Sequence, residues 1–173
     1  MDKLKAVTPC KEQHDKYQRA KECRNVVQVV DGQQITYRCR TKYCQHCNRV
    51  KTNELIRAYQ TPLIELQNED TLYLVTLTAP TVSARRLKTE INNRYLIMRK
   101  ATDKLRKRGV KLHGFRSLEV AYNDKSDRYH PHYHLIIQGK ANAEALEREW
   151  LEKHSKAQIK ASPKAQDIRP IRS

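Results

Sequence analysis

The stretch RYHPHYHLII, residues 128–137, decides how the rest of the chain is read. His130, His132 and His134 occupy alternate positions and run into Leu135, Ile136 and Ile137. Side chains alternate between the two faces of a strand, so the three imidazoles point one way. Tyr133, Leu135 and Ile137 point the other way. One face is then a buried sheet surface, and the other is polar and able to bind metal. The competing reading is a solvated, histidine-rich edge strand without a ligand.

The neighbouring segments extend that face. FRSLEVAY (115–122) and YHPHYHLIIQ (129–138) flank the turn cluster NDKSD (123–127), which predicts an antiparallel hairpin. Leu118 and Val120 share the apolar face, and Ser117, Glu119 and Ala121 share the other. A turn centred near residues 125–126 places Glu119 opposite the histidines. TLYLVTLTAP (71–80) is a third strand, with Tyr73, Val75 and Leu77 on one face and Thr76 and Thr78 on the other. Two imidazoles and a carboxylate with open positions suit Mn²⁺, Mg²⁺ or another divalent ion acting as a Lewis acid. The candidate ligands are His132, His134 and Glu119, with His130 competing for the third place or supporting it.

A second constellation lies upstream. Cys23, Cys39, Cys44 and Cys47 surround NVVQVV (25–30), the turn Asp31-Gly32 and QITYRC (34–39), which reads as a hairpin held between cysteine pairs. Four thiolates complete the tetrahedral shell of a structural Zn²⁺. CRTKYCQHC (39–47) is too polar for core cysteines. His46 is the alternative to Cys23, and Cys10 has no assigned role. The chain has five cysteines and no secretory signal, so metal binding is expected rather than disulfides.

Residues 1–20 read as a poorly ordered polar arm, 21–50 as the zinc-binding hairpin and 51–173 as one further domain. A helix is predicted over 48–67, with Val50, Leu55, Ile56, Tyr59 and Leu63 on one side and Pro62 bending or ending it. A long helix over 83–108 has Leu87, Ile91, Tyr95, Met98 and Leu105 as its core stripe and stops at Gly109. A helix over 141–154 turns Leu146 and Trp150 inward, and AQDIRPIRS (165–173) holds one more strand. The class is α+β, an antiparallel sheet flanked by helices, with an N-terminal zinc-binding hairpin.

The 173 residues carry 35 basic and 19 acidic side chains, a net charge of +16. Such a balance points to a polyanionic partner, with nucleic acid first. An anionic membrane is the weaker reading, since no helix combines basic and strongly apolar faces. A basic, solvated surface without a partner is the third. No apolar run is long enough to span a bilayer, and the N-terminus lacks the apolar core of a signal peptide, so a cytoplasmic location is expected. The candidate DNA contacts are Arg38, Arg40, Lys42 and Arg49 around the cysteines, and Arg85, Arg86, Arg99, Lys100 and Lys107 on the long helix.

YLVTLTAP (73–80), the long basic helix, SLEVAYN (117–123) and YHPHYHLII (129–137), preceded by CRTKYCQHCNRVK (39–51), together resemble a known family. They are similar to the rolling-circle replication initiators of bacterial plasmids, within the HUH endonuclease superfamily, over roughly residues 20–173. The resemblance implies that His132 and His134, with Glu119 or His130 as third ligand, hold catalytic Mn²⁺ or Mg²⁺. It implies that a tyrosine attacks a phosphate of single-stranded or hairpin origin DNA, giving a 5′-phosphotyrosyl enzyme and a free 3′-OH. A host helicase and polymerase are the further partners it implies. A related HUH transposase or relaxase, or a zinc-containing DNA-binding module without catalysis, are the alternatives.

One departure stands out. The family's nucleophile lies on a helix after the histidine strand, whereas the last tyrosine here is Tyr133, inside the motif. The expectation is therefore that the nucleophile lies beyond residue 173. Tyr95 is the remaining substitute, disfavoured by its place on the predicted core stripe.

Overall fold

The computed structural model describes residues 10–23, 25, 27–157 and 159–172. It divides into two compact units, Met1–Thr61 and Pro62–Ser173. The division falls inside a helix, where the sequence reading set it at residue 50.

In the first unit, helix α1 (Lys11–Lys21) replaces most of the expected disordered arm. Residues 1–9 of that arm lie outside the described residues. The helix forms because it has something to bury: Ala20 packs on the cysteine cluster, and the Tyr17 ring meets Tyr43 at 4.7 Å. Two such anchors in an otherwise charged segment leave almost no periodic signal. Strands β1 (Val27–Val30) and β2 (Gln33–Thr36) pair in an antiparallel hairpin. Asp31 and Gly32 at its tip both have positive φ, 50° and 75°, which is the type I′ geometry that an Asp-Gly turn favours.

Helix α2 spans Gln45–Glu69 and contains Pro62 in its interior. Of the two expected outcomes, bending or ending the helix, the proline does not end it. Its predicted apolar side is not core either: Leu55, Ile56 and Tyr59 are all exposed.

The second unit is a four-stranded antiparallel sheet in the order β4-β5-β3-β6. Its strands are β3 (Leu72–Thr78), β4 (Gly114–Asn123), β5 (Arg128–Gln138) and β6 (Asp167–Pro170). Helices α3 (Ala84–Lys107) and α4 (Lys140–Ser155) pack on one face. That face carries Val75, Leu77, Tyr133, Leu135 and Ile137, which meet Met98, Ala101 and Leu105 of α3 and Ala143, Leu146 and Trp150 of α4. The alternation of β3 and β5 is therefore read correctly, and the polar face is left uncovered by these helices.

The stripe of α3 differs from expectation. Its buried positions are Glu90, Arg94, Met98, Ala101 and Leu105, while Tyr95 is 50% exposed. Glu90 and Arg94 each have one polar partner, although Arg94 Nε and Nη1 are buried without a hydrogen bond. Glu90 receives Arg86 at 3.2 Å, and the Arg94 guanidinium donates to the Pro80 carbonyl at 2.9 Å. No helix among the described residues is long and apolar enough to cross a membrane.

Candidate metal centres

The uncovered sheet face gathers Glu119, His132 and His134. Glu119 pairs directly with His132 across β4 and β5, and β3 lays Thr78 beside His132 and Thr76 beside His134. Strand pairing thus delivers side chains from three segments to one patch. His132 Nε2 and His134 Nε2 lie 3.1 Å apart. Two ligand atoms in adjacent octahedral positions, each about 2.1 Å from an ion, sit about 3.0 Å apart, so the imidazoles already match that geometry. Glu119 Oε2 is 3.7 Å from His134 Nε2 and 3.9 Å from His132 Nε2. Its side chain is 57% exposed and has room to close that gap.

The second nitrogens are used as well. His132 Nδ1 is 2.9 Å from the His130 carbonyl oxygen. A carbonyl only accepts, so Nδ1 carries the proton and Nε2 keeps its lone pair for an ion. His134 Nδ1 is 3.2 Å from Thr76 Oγ1, a hydroxyl that can accept from the same tautomer.

His130 is held differently. Its Nε2 bonds Thr78 Oγ1, and its ring stacks on His132 with centroids 5.1 Å apart. Burial, then the charges of His132 and Arg94, hold its pKa below the ordinary value. The structure gathers Glu119 with the two histidines and leaves His130 outside the group.

Thr78 is itself fixed. Gln166, just ahead of β6, accepts from the Thr78 N–H at 2.8 Å and donates to its carbonyl at 3.2 Å. The Trp150 indole N–H also reaches that carbonyl, at 3.3 Å. Gln166 thus continues the sheet by its side chain, a role invisible in the sequence because a glutamine in a loop carries no periodic signal.

The thiol cluster is compact. Cys23, Cys39, Cys44 and Cys47 place their sulfurs within 4.8 Å of one another. Cys23 and Cys39 lie 3.6 Å and 3.7 Å from Cys47. Four sulfurs at about 2.3 Å from a tetrahedral ion stand about 3.8 Å apart, so the set fits such an ion and is far too open for disulfides. Burial pushes the Cys23 thiol up to about 12. Burial also opposes ionisation of Cys39, but donors from Thr41 and the neighbouring thiols outweigh it and bring that group down to about 7. Four thiols so close do not ionise together without a cation among them. Cys23, not His46, completes the group, and Cys10 is exposed ahead of α1.

A family model described as Rep_1, Replication protein, matches residues 31–161, a region that includes three of the four cysteines and the whole Glu-His-His face. The chain belongs to this replication protein family. A curated "Protein rep" of Staphylococcus aureus is 31% identical over 102 residues, which cover 57% of this chain and 44% of the relative. A "Protein rep" of Bacillus amyloliquefaciens is 29% identical over 109 residues, 60% of this chain and 31% of the relative. The chain therefore spans less than half the length of these relatives. No solved structure gives a significant match.

For a replication protein, the placement of basic side chains matters. Arg38, Arg40, Lys42 and Lys51 border a cleft of about 390 Å³ beside Cys47, and Arg49 is exposed on the first turn of α2. Arg38 is also 3.4 Å from Glu54. Arg85, Arg86, Arg99, Lys100 and Lys107 sit on α3, which packs against the sheet face opposite the Glu-His-His group. The long helix thus does not line that group's own face.

Tyrosines are equally informative. In the Pro62–Ser173 unit, Tyr73, Tyr122, Tyr129 and Tyr133 have the parity of the helix-covered face. Tyr95 meets the edge of Tyr133 at 6.2 Å, also behind the sheet. Tyr95 is thus excluded from the metal face by its position, not by the burial expected from sequence.

Proposed function

We propose that this chain carries the metal-binding face of a plasmid rolling-circle initiator of the HUH type, which nicks and joins single-stranded origin DNA. The observation that carries the reading is the convergence of Glu119 and the two Nε2 atoms on an exposed sheet face of a replication-family protein.

Glu119, His132 and His134 would hold Mn²⁺ or Mg²⁺, and Cys23, Cys39, Cys44 and Cys47 would hold a structural Zn²⁺. A divalent ion held there would supply Lewis acidity to the scissile phosphate. His132 and His134 orient that centre through fixed Nδ1 partners, and Thr76 and Thr78 keep the imidazole rings in register. Flat, exposed strands leave the face open to an extended single strand. A tyrosine oxygen attacks the phosphorus and the P–O3′ bond breaks. The 5′-phosphate stays on the tyrosine, and the 3′-oxygen leaves as the 3′-OH, taking up a proton in place of the one the phenol gives up. None of the five tyrosines of the Pro62–Ser173 unit lies on this face, so the nucleophile comes from outside that unit. A host polymerase would then extend the 3′-OH while a host helicase opens the duplex ahead of it.

Titration calorimetry with Mn²⁺, together with binding of a labelled single-stranded oligonucleotide, tests the reading. Wild type should bind one exchangeable Mn²⁺ and bind DNA with affinity that falls steeply with salt. His132→Ala and His134→Ala should lose the Mn²⁺ and keep much of the DNA affinity. Unchanged Mn²⁺ binding in both variants would sink the proposal.

A further inference from the structure

The histidine strand begins with an arginine that the metal centre does not use. Arg128 opens β5 and shares the parity of His130, His132 and His134, so it stands on the same open face. Its partner across the hairpin is the neutral Asn123. Two hydrogen bonds anchor its guanidinium to the loop after β3. Nε donates to Thr81 Oγ1 at 2.8 Å, and Nη2 donates to the Thr81 carbonyl at 2.6 Å. That loop is in turn tied to β5 by a reciprocal bridge between Val82 and Tyr129, with both N–O distances 2.8 Å.

The charge is nonetheless uncompensated. No carboxylate lies within ion-pair distance of Arg128 among the described residues, and the adjacent Asp127 accepts the Tyr122 hydroxyl at 2.9 Å. Several other arginines of this unit are paired or buried. Arg169, on the same face, pairs with Asp167, while Arg106 and Arg108 pair with Asp103 and Glu149. Arg94 is buried. A pinned guanidinium with outward donors has already lost the rotamer freedom that binding would otherwise cost, and its planar fork suits a phosphate.

We propose that Arg128 is a phosphate-binding residue that clamps single-stranded DNA at a phosphodiester neighbouring the one at the metal, with Thr81 setting its direction. His132 lies four positions along the strand from Arg128, about 13 Å, so the arginine does not share the phosphate at the metal. The proposal rests on the single-strand reading above and adds a site to it.

Fluorescence anisotropy with a labelled single-stranded oligodeoxynucleotide, without added divalent metal and over a salt series, tests it. Arg128→Ala should weaken binding about tenfold and shallow the salt slope by about 0.7, one phosphate's worth for single strands. Arg128→Lys should lose less. Thr81→Val, which keeps the charge and removes one anchor, should fall between Arg128→Ala and wild type. Lys125→Ala, at the exposed hairpin turn, should bind as wild type. Mn²⁺ affinity should be unchanged in all four, and thermal melts check their folding. If Arg128→Ala does not fold, the Lys and Val variants carry the test. Wild-type affinity in Arg128→Ala, or an equal loss in Lys125→Ala, would overturn the clamp while leaving the initiator reading intact. Failure of wild type to bind single strands would overturn both.

Discussion

Thr76 Oγ1 lies 3.2 Å from His134 Nδ1, between directly paired positions of β3 and β5. The threonine touches no substrate atom, yet it decides which imidazole nitrogen faces outward. When that hydroxyl accepts from Nδ1, as it does with an ion bound at Nε2, the Nε2 lone pair points at His132 and Glu119. The His130 carbonyl does the same for His132. Both rings are therefore oriented before any ion arrives.

Thr76→Val should lower Mn²⁺ affinity by roughly tenfold or more, the usual penalty for losing an outer-shell partner. Thr76→Ser should keep most of it. Calorimetric titration of the three proteins decides the matter. Equal affinities would show that packing alone orients the ring.

Metal analysis of the purified protein should find about one tightly held zinc per chain, as a closed four-thiolate site requires. Cys23→Ser should lose it readily to a chelator and melt at lower temperature, whereas His46→Ala should retain it. Zinc loading should also release protons, because thiols such as Cys23 are protonated in the metal-free cluster at neutral pH. The sign is read from loading enthalpies in buffers of different ionisation heat. Buffer-independent enthalpies would contradict it.

His154 is 2% exposed, lies with its ring 4.1 Å from that of Trp150 and tilted by 49°, and bonds the Trp150 carbonyl through Nδ1. Burial holds its pKa below the usual histidine value. The folded state therefore prefers the neutral ring, and the unfolded chain binds the extra proton first. Stability is full above the unfolded pKa and declines as pH falls from there towards the lower folded pKa. His154→Gln should flatten that decline by up to about 1.4 kcal/mol per pH unit. Urea unfolding between pH 5 and 7 measures it, and parallel slopes would show that other groups dominate.

Gly114 starts β4 with φ +150°, and a Cβ there would fall well inside contact distance of the Ile136 carbonyl. Gly114→Ala should cost roughly 2–4 kcal/mol of unfolding free energy, since backbone rather than a flexible side chain must give way. Denaturant midpoints for the two proteins test this, and a shift under about 0.5 kcal/mol would mean that the edge strand moves freely.

Much of this molecule was legible because strand geometry is local. Alternation alone put His132 and His134 on one face and Tyr133 and Leu135 on the other, and the turn at 123–127 carried Glu119 across to them. The four cysteines were legible for a similar reason: a hairpin with an Asp-Gly tip brings its flanks together. Helix faces were not. The α3 stripe shifted onto Glu90 and Arg94, which meet the Arg86 side chain and the Pro80 carbonyl, partners that come from the preceding turn or another part of the chain and leave no periodic signal. Helix α1 was missed because its only anchors, Tyr17 and Ala20, depend on Tyr43 and the cysteines.

The sequence by itself determined which side chains share a face along each strand, how many thiols could enclose an ion, and that the chain is strongly cationic. Those properties follow from covalent periodicity, spacing and composition. Only the tertiary structure decided the rest. It placed Glu119, rather than His130, with the two histidines, and it put α3 and its cations behind the sheet. It also set Arg128, anchored to Thr81, on the open face. Each of those outcomes depends on which distant backbone supplies a hydrogen-bond partner, and that is settled when strands pair and helices choose the face they cover.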